Sequence, residues 1–134
     1  GDDVALLDGR NVSYTADLTF ASAEANLSPE GEAALEEIAG ELAQLTDSLP
    51  EDLPWMLRVD GHTDDLPIRS GRFRSNWELS AARASTVAQY LIDAGFPADR
   101  LIAAGFADTQ PLTTERSAAA RAQNRRIEMR LTVR

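Results

Sequence analysis

The stretch "GHTDDLPIRSGRFRSNWELSAARA", residues 61–84, holds a change of period that decides the fold. Before it, "WMLRVDG" reads as a strand ending at Gly61. After it, Ser75 and Glu78 make an S-x-x-E capping box that opens the helix "LSAARASTVAQYLIDAG", which Gly95 and Pro97 stop. Between strand end and helix start lie the only histidine, two adjacent aspartates and a loop bearing Arg69, Arg72 and Arg74.

The rest of the chain continues this alternation. "NVSYTADLTF" (residues 11–20) places Val12, Tyr14, Ala16, Leu18 and Phe20 at every second position, as a half-buried strand does. Ser28-Pro29 is an N-cap with proline at the first helical position, and Leu35, Ile38, Leu42 and Leu45 follow at helical spacing with an acidic outer face. "RLIAAGFA" is a short apolar strand, residues 111–124 hold a loop and a short helix, and "RRIEMRLTV" alternates Ile127, Met129, Leu131 and Val133. The order strand, helix, strand, helix, strand, helix, strand predicts an α/β fold: a two-layer sandwich with helices packed on a four-stranded mixed sheet. The 134 residues suit one domain, residues 1–134, of which 1–17 are read as an N-terminal extension or linker.

Bulk properties narrow the function. A composition 43% hydrophobic and 26% charged is globular, and no apolar run approaches the roughly 20 residues of a membrane span. The formal charge of −9 disfavours nucleic acid as a partner. Without cysteine there is no thiol nucleophile or thiolate zinc site, and one histidine weakly supports any metal site that would use His62, Asp64 and Asp65. No G-x-S-x-G elbow is present, and adjacent Asp64 and Asp65 are not placed like a carboxylate pair across a scissile bond. His62 is read as a hydrogen-bonding residue that fixes its loop, and Trp77 and Leu79 as packing residues rather than a sugar platform, with Trp77 in a first helical turn that leaves it open to exposure. The chain starts at Gly1 without a leader, so it is treated as a piece of a longer protein whose N-terminal context is missing.

Arg83 falls on the shoulder of the stripe Ala84, Val87, Ala88 and Leu91, where a guanidinium needs a carboxylate or several acceptors. Asp64 and Asp65, at the strand end feeding the helix, are the nearest acidic candidates. Two readings stay open: Asp64 and Arg83 satisfy each other as an ion pair, or both face a cleft that suits a zwitterion, carboxylate to ammonium and arginine fork to carboxylate.

"GHTDD", "SNWELSAARA", "GFPADRLIAAGFADTQPL" and "NRRIEMRL" together resemble, in order and spacing, the OmpA-like C-terminal domain that binds peptidoglycan in Gram-negative envelopes, from about Leu18 to the end. "GHTDDLPI" with "SNWELSAARA" is similar to the version in flagellar stator B subunits. The resemblance implies noncatalytic, cofactor-free anchoring to the cell wall in the periplasm, with a membrane-anchored parent protein and with homodimerisation open. It implies that the diaminopimelate of the stem peptide is held by Asp64 through its amine and by Arg83 through its carboxylate, with Thr63, Asn76 and Leu79 shaping the pocket. The "NRR" arginines fall on Arg125 and Arg126, and adjacent strand residues point to opposite faces, so at most one should meet the ligand. Ala21 stands where many members carry an aspartate, which removes one pocket contact. The loop of residues 66–74 is longer than in short members and is read as solvated. A protein-interaction module with a vestigial wall site is the alternative of another class.

Overall fold

The computed structural model describes residues 4–7, 11–16, 20, 25–68 and 71–133. Its elements are β1 (Val4–Leu7), β2 (Asn11–Ala16), α1 (Pro29–Asp47), β3 (Trp55–His62), α2 (Asn76–Asp93), a single 3-10 turn (Ala98–Arg100), β4 (Leu101–Gly105), α3 (Ala118–Asn124) and β5 (Arg126–Val133). The sheet order is β1-β2-β5-β3-β4. Its mixed centre is three strands, β5 antiparallel and β4 parallel to β3, and the β1–β2 hairpin extends it through β2 on β5. The α/β class stands, but the sheet has five strands rather than four. The additional strand is β1, whose "VALL" carries no alternation by which to recognise it, and both hairpin strands fall within the stretch read as an extension or linker.

Both long helices begin where their caps predict. The Ser28 hydroxyl accepts from Gly31 N at 3.0 Å, with Pro29 in the first turn of α1. The Ser75 hydroxyl accepts from Glu78 N at 3.3 Å, and the Glu78 carboxylate reaches back to Arg74 N at 3.1 Å, one residue upstream of the usual capping-box donor. At the other end of α2, Gly95 takes φ +111, its N–H donates to Ile92 O, and Phe96 N donates to Leu91 O. That is a Schellman motif, and its two apolar partners, Leu91 and Phe96, are both buried.

Alternation along β3 and β5 sorts their side chains onto two faces. Leu57, Val59, Ile127, Met129 and Leu131 bury against Leu35, Ile38 and Leu42 of α1 and Ala84, Val87 and Leu91 of α2, forming one core. The other face carries Arg58, Asp60 and His62 opposite Arg130, Glu128 and Arg126. Like charges therefore stand directly across from each other, while neighbours along one strand compensate: Arg58 Nε meets Asp60 at 3.2 Å and Arg126 Nε meets Glu128 at 2.5 Å.

Helix α2 sits very close on the ends of β3 and β4. A Cβ on Gly61 would collide with the Ser80 carbonyl, and one on Gly105 would lie 2.6 Å from Ala81 N. The Ser80 hydroxyl accepts from Ala107 N at 3.0 Å and ties the helix to the turn after β4. This close seating sets the height of the first two turns of α2 above the loop that leaves β3.

Candidate functional site

The site lies where β3 ends, α2 begins and α3 passes into β5. Thr63 N donates to Ala107 O at 2.9 Å, which fixes the backbone as it leaves the sheet. Asp64 follows, 8% exposed. One of its carboxylate oxygens accepts from Leu66 N at 3.0 Å and the other from Arg125 Nη1 at 2.6 Å. Asn76, the first residue of α2, donates its side-chain amide to Leu66 O at 3.0 Å and to Asp64 O at 3.5 Å. Asp64 is thus clamped through its backbone and both of its oxygens.

Arg83 lies two helical turns beyond Asn76 on the same flank of α2, 5% exposed, with buried Leu79 one turn before it. Its guanidinium stacks over the Phe20 ring, 4.8 Å from the centroid. Burial, then the neighbouring positive Arg125, lower its pKa to about 10 against the opposing pull of Asp64. It remains charged at neutral pH in a place where charge is costly. Two arginines and one aspartate therefore share this corner, Arg83 and Asp64 buried and Arg125 half in water.

Of the residues expected to meet, Thr63, Asp64, Asn76, Leu79, Arg83 and Arg125 come together here. Arg126 does not. It is buried on the other face of the sheet, donating to Glu128, to Asn124 O at 3.2 Å and to Gln110 O at 2.8 Å, so the two adjacent arginines diverge as strand geometry requires. The Asp64 carboxylate pairs with Arg125, across 61 positions that sequence spacing does not suggest. Phe20 as a partner of Arg83 was likewise not anticipated, nor was Asn124, whose side-chain oxygen accepts from Leu112 N at 2.8 Å and Thr113 N at 3.3 Å and holds the loop beside Arg125. The "NRR" run contained that signal, but only its arginines were read. Ala21 and Arg69 lie outside the described residues.

Two further expectations need correction. His62 does not fix its loop by hydrogen bonding: neither ring nitrogen has a hydrogen-bond partner among the described residues, and the ring stacks on Phe106 with centroids 5.2 Å apart. Nε2 lies 3.9 Å from Glu128 Oε1, and burial together with Arg126 lowers the His62 pKa to about 4, with Glu128 opposing. Its side chain belongs to the Arg126 face of the sheet, so it is no base for the Asp64 corner. Trp77, expected to pack, is 56% exposed. Among the described residues no three His, Cys, Asp or Glu side chains gather as a metal would require.

The domain thus carries a buried carboxylate, a buried arginine and a half-exposed arginine at the loop end of its sheet. The chain belongs to the OmpA family, whose model matches residues 19–125. It is 40% identical over 111 residues to YtxE of Bacillus subtilis, a match covering 79% of this chain and 44% of that protein, so it spans less than half of that relative's length. Among solved structures it is similar to the cell wall anchor of the T6SS from Pseudomonas aeruginosa (36% identity, TM-score 0.78, covering 99% of this chain and 90% of that one). It is also similar to the periplasmic domain of Helicobacter pylori MotB (25% identity, TM-score 0.81, covering 97% and 80%).

Proposed function

We propose that this domain binds the diaminopimelate-containing stem peptide of peptidoglycan without catalysis, and so anchors a longer envelope protein to the wall. The observation that carries the reading is the desolvated corner itself: Asp64 clamped by Leu66 N and Asn76, and Arg83 buried on the Phe20 ring beside a second cation. A ligand ammonium at Asp64 takes the place of Arg125 as counterion. Arg125, whose side chain is 45% exposed, then turns toward the ligand with Arg83, and both offer donors to its carboxylate. Asp64 thus selects the amine and Arg83 the carboxylate, while Thr63, Asn76 and Leu79 hold the walls. Arg126 acts from behind the sheet by fixing Gln110 and Glu128, outside the ligand's reach.

The domain works on the periplasmic side of a Gram-negative envelope, in a parent protein anchored in a membrane. The likeness to a cell wall anchor and to a MotB periplasmic domain supports this placement, and the second of these supports a flagellar stator B subunit as the parent.

Calorimetric titration with a diaminopimelate stem peptide, with the lysine-containing peptide as control, tests the reading. Binding of the first alone, lost in Arg83→Ala, is expected, because lysine lacks the carboxylate that Arg83 would hold. Equal binding of both peptides, or undiminished binding by a folded Arg83→Ala variant, would overturn it.

A further inference from the structure

Trp77 is the second residue of α2, in a turn held by the Ser75 and Glu78 hydrogen bonds, yet more than half of it is in water. The large apolar side chains exposed among the described residues are Leu66, Trp77, Ile102 and Leu112. Ile102 lies in the middle of β4, whereas the other three are carried by the loops and helix start that border Asp64. Leu66 is tied to Asn76 through its carbonyl, and Leu112 to Asn124, the neighbour of Arg125, through its N–H. Three exposed apolar side chains on the elements that border a charged corner form its rim, and such a rim marks a surface for a ligand that is itself part apolar and part polar.

We propose that this rim is a second subsite for the glycan portion of a muropeptide, with the Trp77 indole as the face on which a sugar ring stacks. The proposal rests on the stem-peptide reading of the Asp64 pocket. A pyranose presents a flat face of C–H groups to an aromatic ring and hydroxyls at its edges, and an indole on a rigid turn receives such a face with little loss of conformational freedom. Arg74, at the cap of α2, and Arg121, held at 2.8 Å by Asp65, supply donors for those hydroxyls on the same loops.

Reach agrees with this. Arg83 and Asn76 share one flank of α2, and Trp77 comes 100° further round, a displacement on the order of the ~10 Å helix width. In a muropeptide two amino acids and a lactyl ether separate diaminopimelate from the sugar, an extended span of about 10 Å. A stem peptide held at Asp64 and Arg83 is therefore long enough to bring its sugar onto the rim.

The test compares a free alanyl-glutamyl-diaminopimelate tripeptide with the same tripeptide on its disaccharide, against the wild-type domain, Trp77→Phe and Trp77→Ala. The chain has two tryptophans, and Trp55 is buried under the Arg100 guanidinium, so a ligand-induced change in emission reports Trp77. The disaccharide form is expected to bind about fivefold more tightly to wild type and to shift the indole emission. Trp77→Phe should keep part of that advantage and Trp77→Ala none, while the free tripeptide binds all three alike. Equal affinity of wild type for the two ligands, or an advantage that survives in Trp77→Ala, overturns the glycan subsite and leaves the pocket reading standing. Failure of a folded wild-type domain to bind either ligand overturns both.

Discussion

Replacing His62 by glutamine should flatten the acid limb of the stability curve. His62 is 5% exposed, stacked on Phe106 and flanked by Arg126, with Glu128 at 3.9 Å as the nearest opposing charge, and its pKa falls to about 4. Arg58 stands over the other partner of that stack, Phe106, at 5.7 Å, and Asp60, whose own pKa burial raises against the pull of Arg58, lies two residues along β3. A histidine in the unfolded chain titrates near 6.5. Above that pH neither state binds the proton and His62 contributes no slope. Between about 6.5 and 4 the unfolded state binds it and the folded state does not, so stability falls as the pH falls. For these two values the loss is about 2 kcal/mol at pH 5 and approaches about 3 kcal/mol below pH 4. Urea unfolding of wild type and His62→Gln at pH 7 and pH 5 isolates the effect, because the carboxylates titrate in both proteins. Since the chain has one histidine, its ring proton resonance gives the folded pKa without assignment. A resonance titrating at 6 or above, or parallel losses in the two proteins, would refute the account of a desolvated ring with no hydrogen-bond partner among the described residues.

Arg125→Ala should remove a counterion from a buried carboxylate; with Arg125 itself half in water, the expected loss is about 1–2 kcal/mol at pH 7 by denaturant titration, and an unchanged midpoint would contradict the pairing. Gly61→Ala should push Ser80, and with it the start of α2, off the sheet, costing more than about 2 kcal/mol; calorimetric melting with an unchanged midpoint would contradict the close seating of that helix. Ser75→Ala should cost about 1 kcal/mol through loss of the cap on Glu78 N, and thermal melting beside Ser28→Ala, the equivalent change in α1, checks whether the two caps are alike.

Legibility in the sequence followed the range of the interaction. Ser28, Ser75 and Gly95 act on neighbours within five residues, so the starts of both long helices and the end of α2 could be read directly. Side-chain period gave the core face of β5 and the divergence of Arg125 from Arg126. Asp64 and Arg83 were found because a charge at the end of a strand and another on the shoulder of an apolar stripe are each costly alone. Which side chain answers each of them was not readable: Arg125 reaches Asp64, and Phe20 reaches Arg83, only through the packing of α3 and of the segment before α1. His62 illustrates the same limit, since its residue type was plain and the stack and burial that define its chemistry were not. The exposure of Trp77 could not be fixed from sequence, because an apolar residue in a first helical turn is covered only if some other element passes over it.

The rows of like charge on the back of the sheet bear on how the chain finds its pairing. Sliding β5 by two residues along β3 would place Arg58 across from Glu128 and Asp60 across from Arg126, and would still lay Leu57 and Val59 against Met129 and Ile127. Neither the charges nor the apolar alternation therefore selects the native alignment over this competitor. What selects it is a contact beyond the strand ends: Arg125 arrives at Asp64 only when Arg126 stands opposite His62. The corner assigned to ligand recognition thus also favours the native alignment over one that the sheet alone would accept.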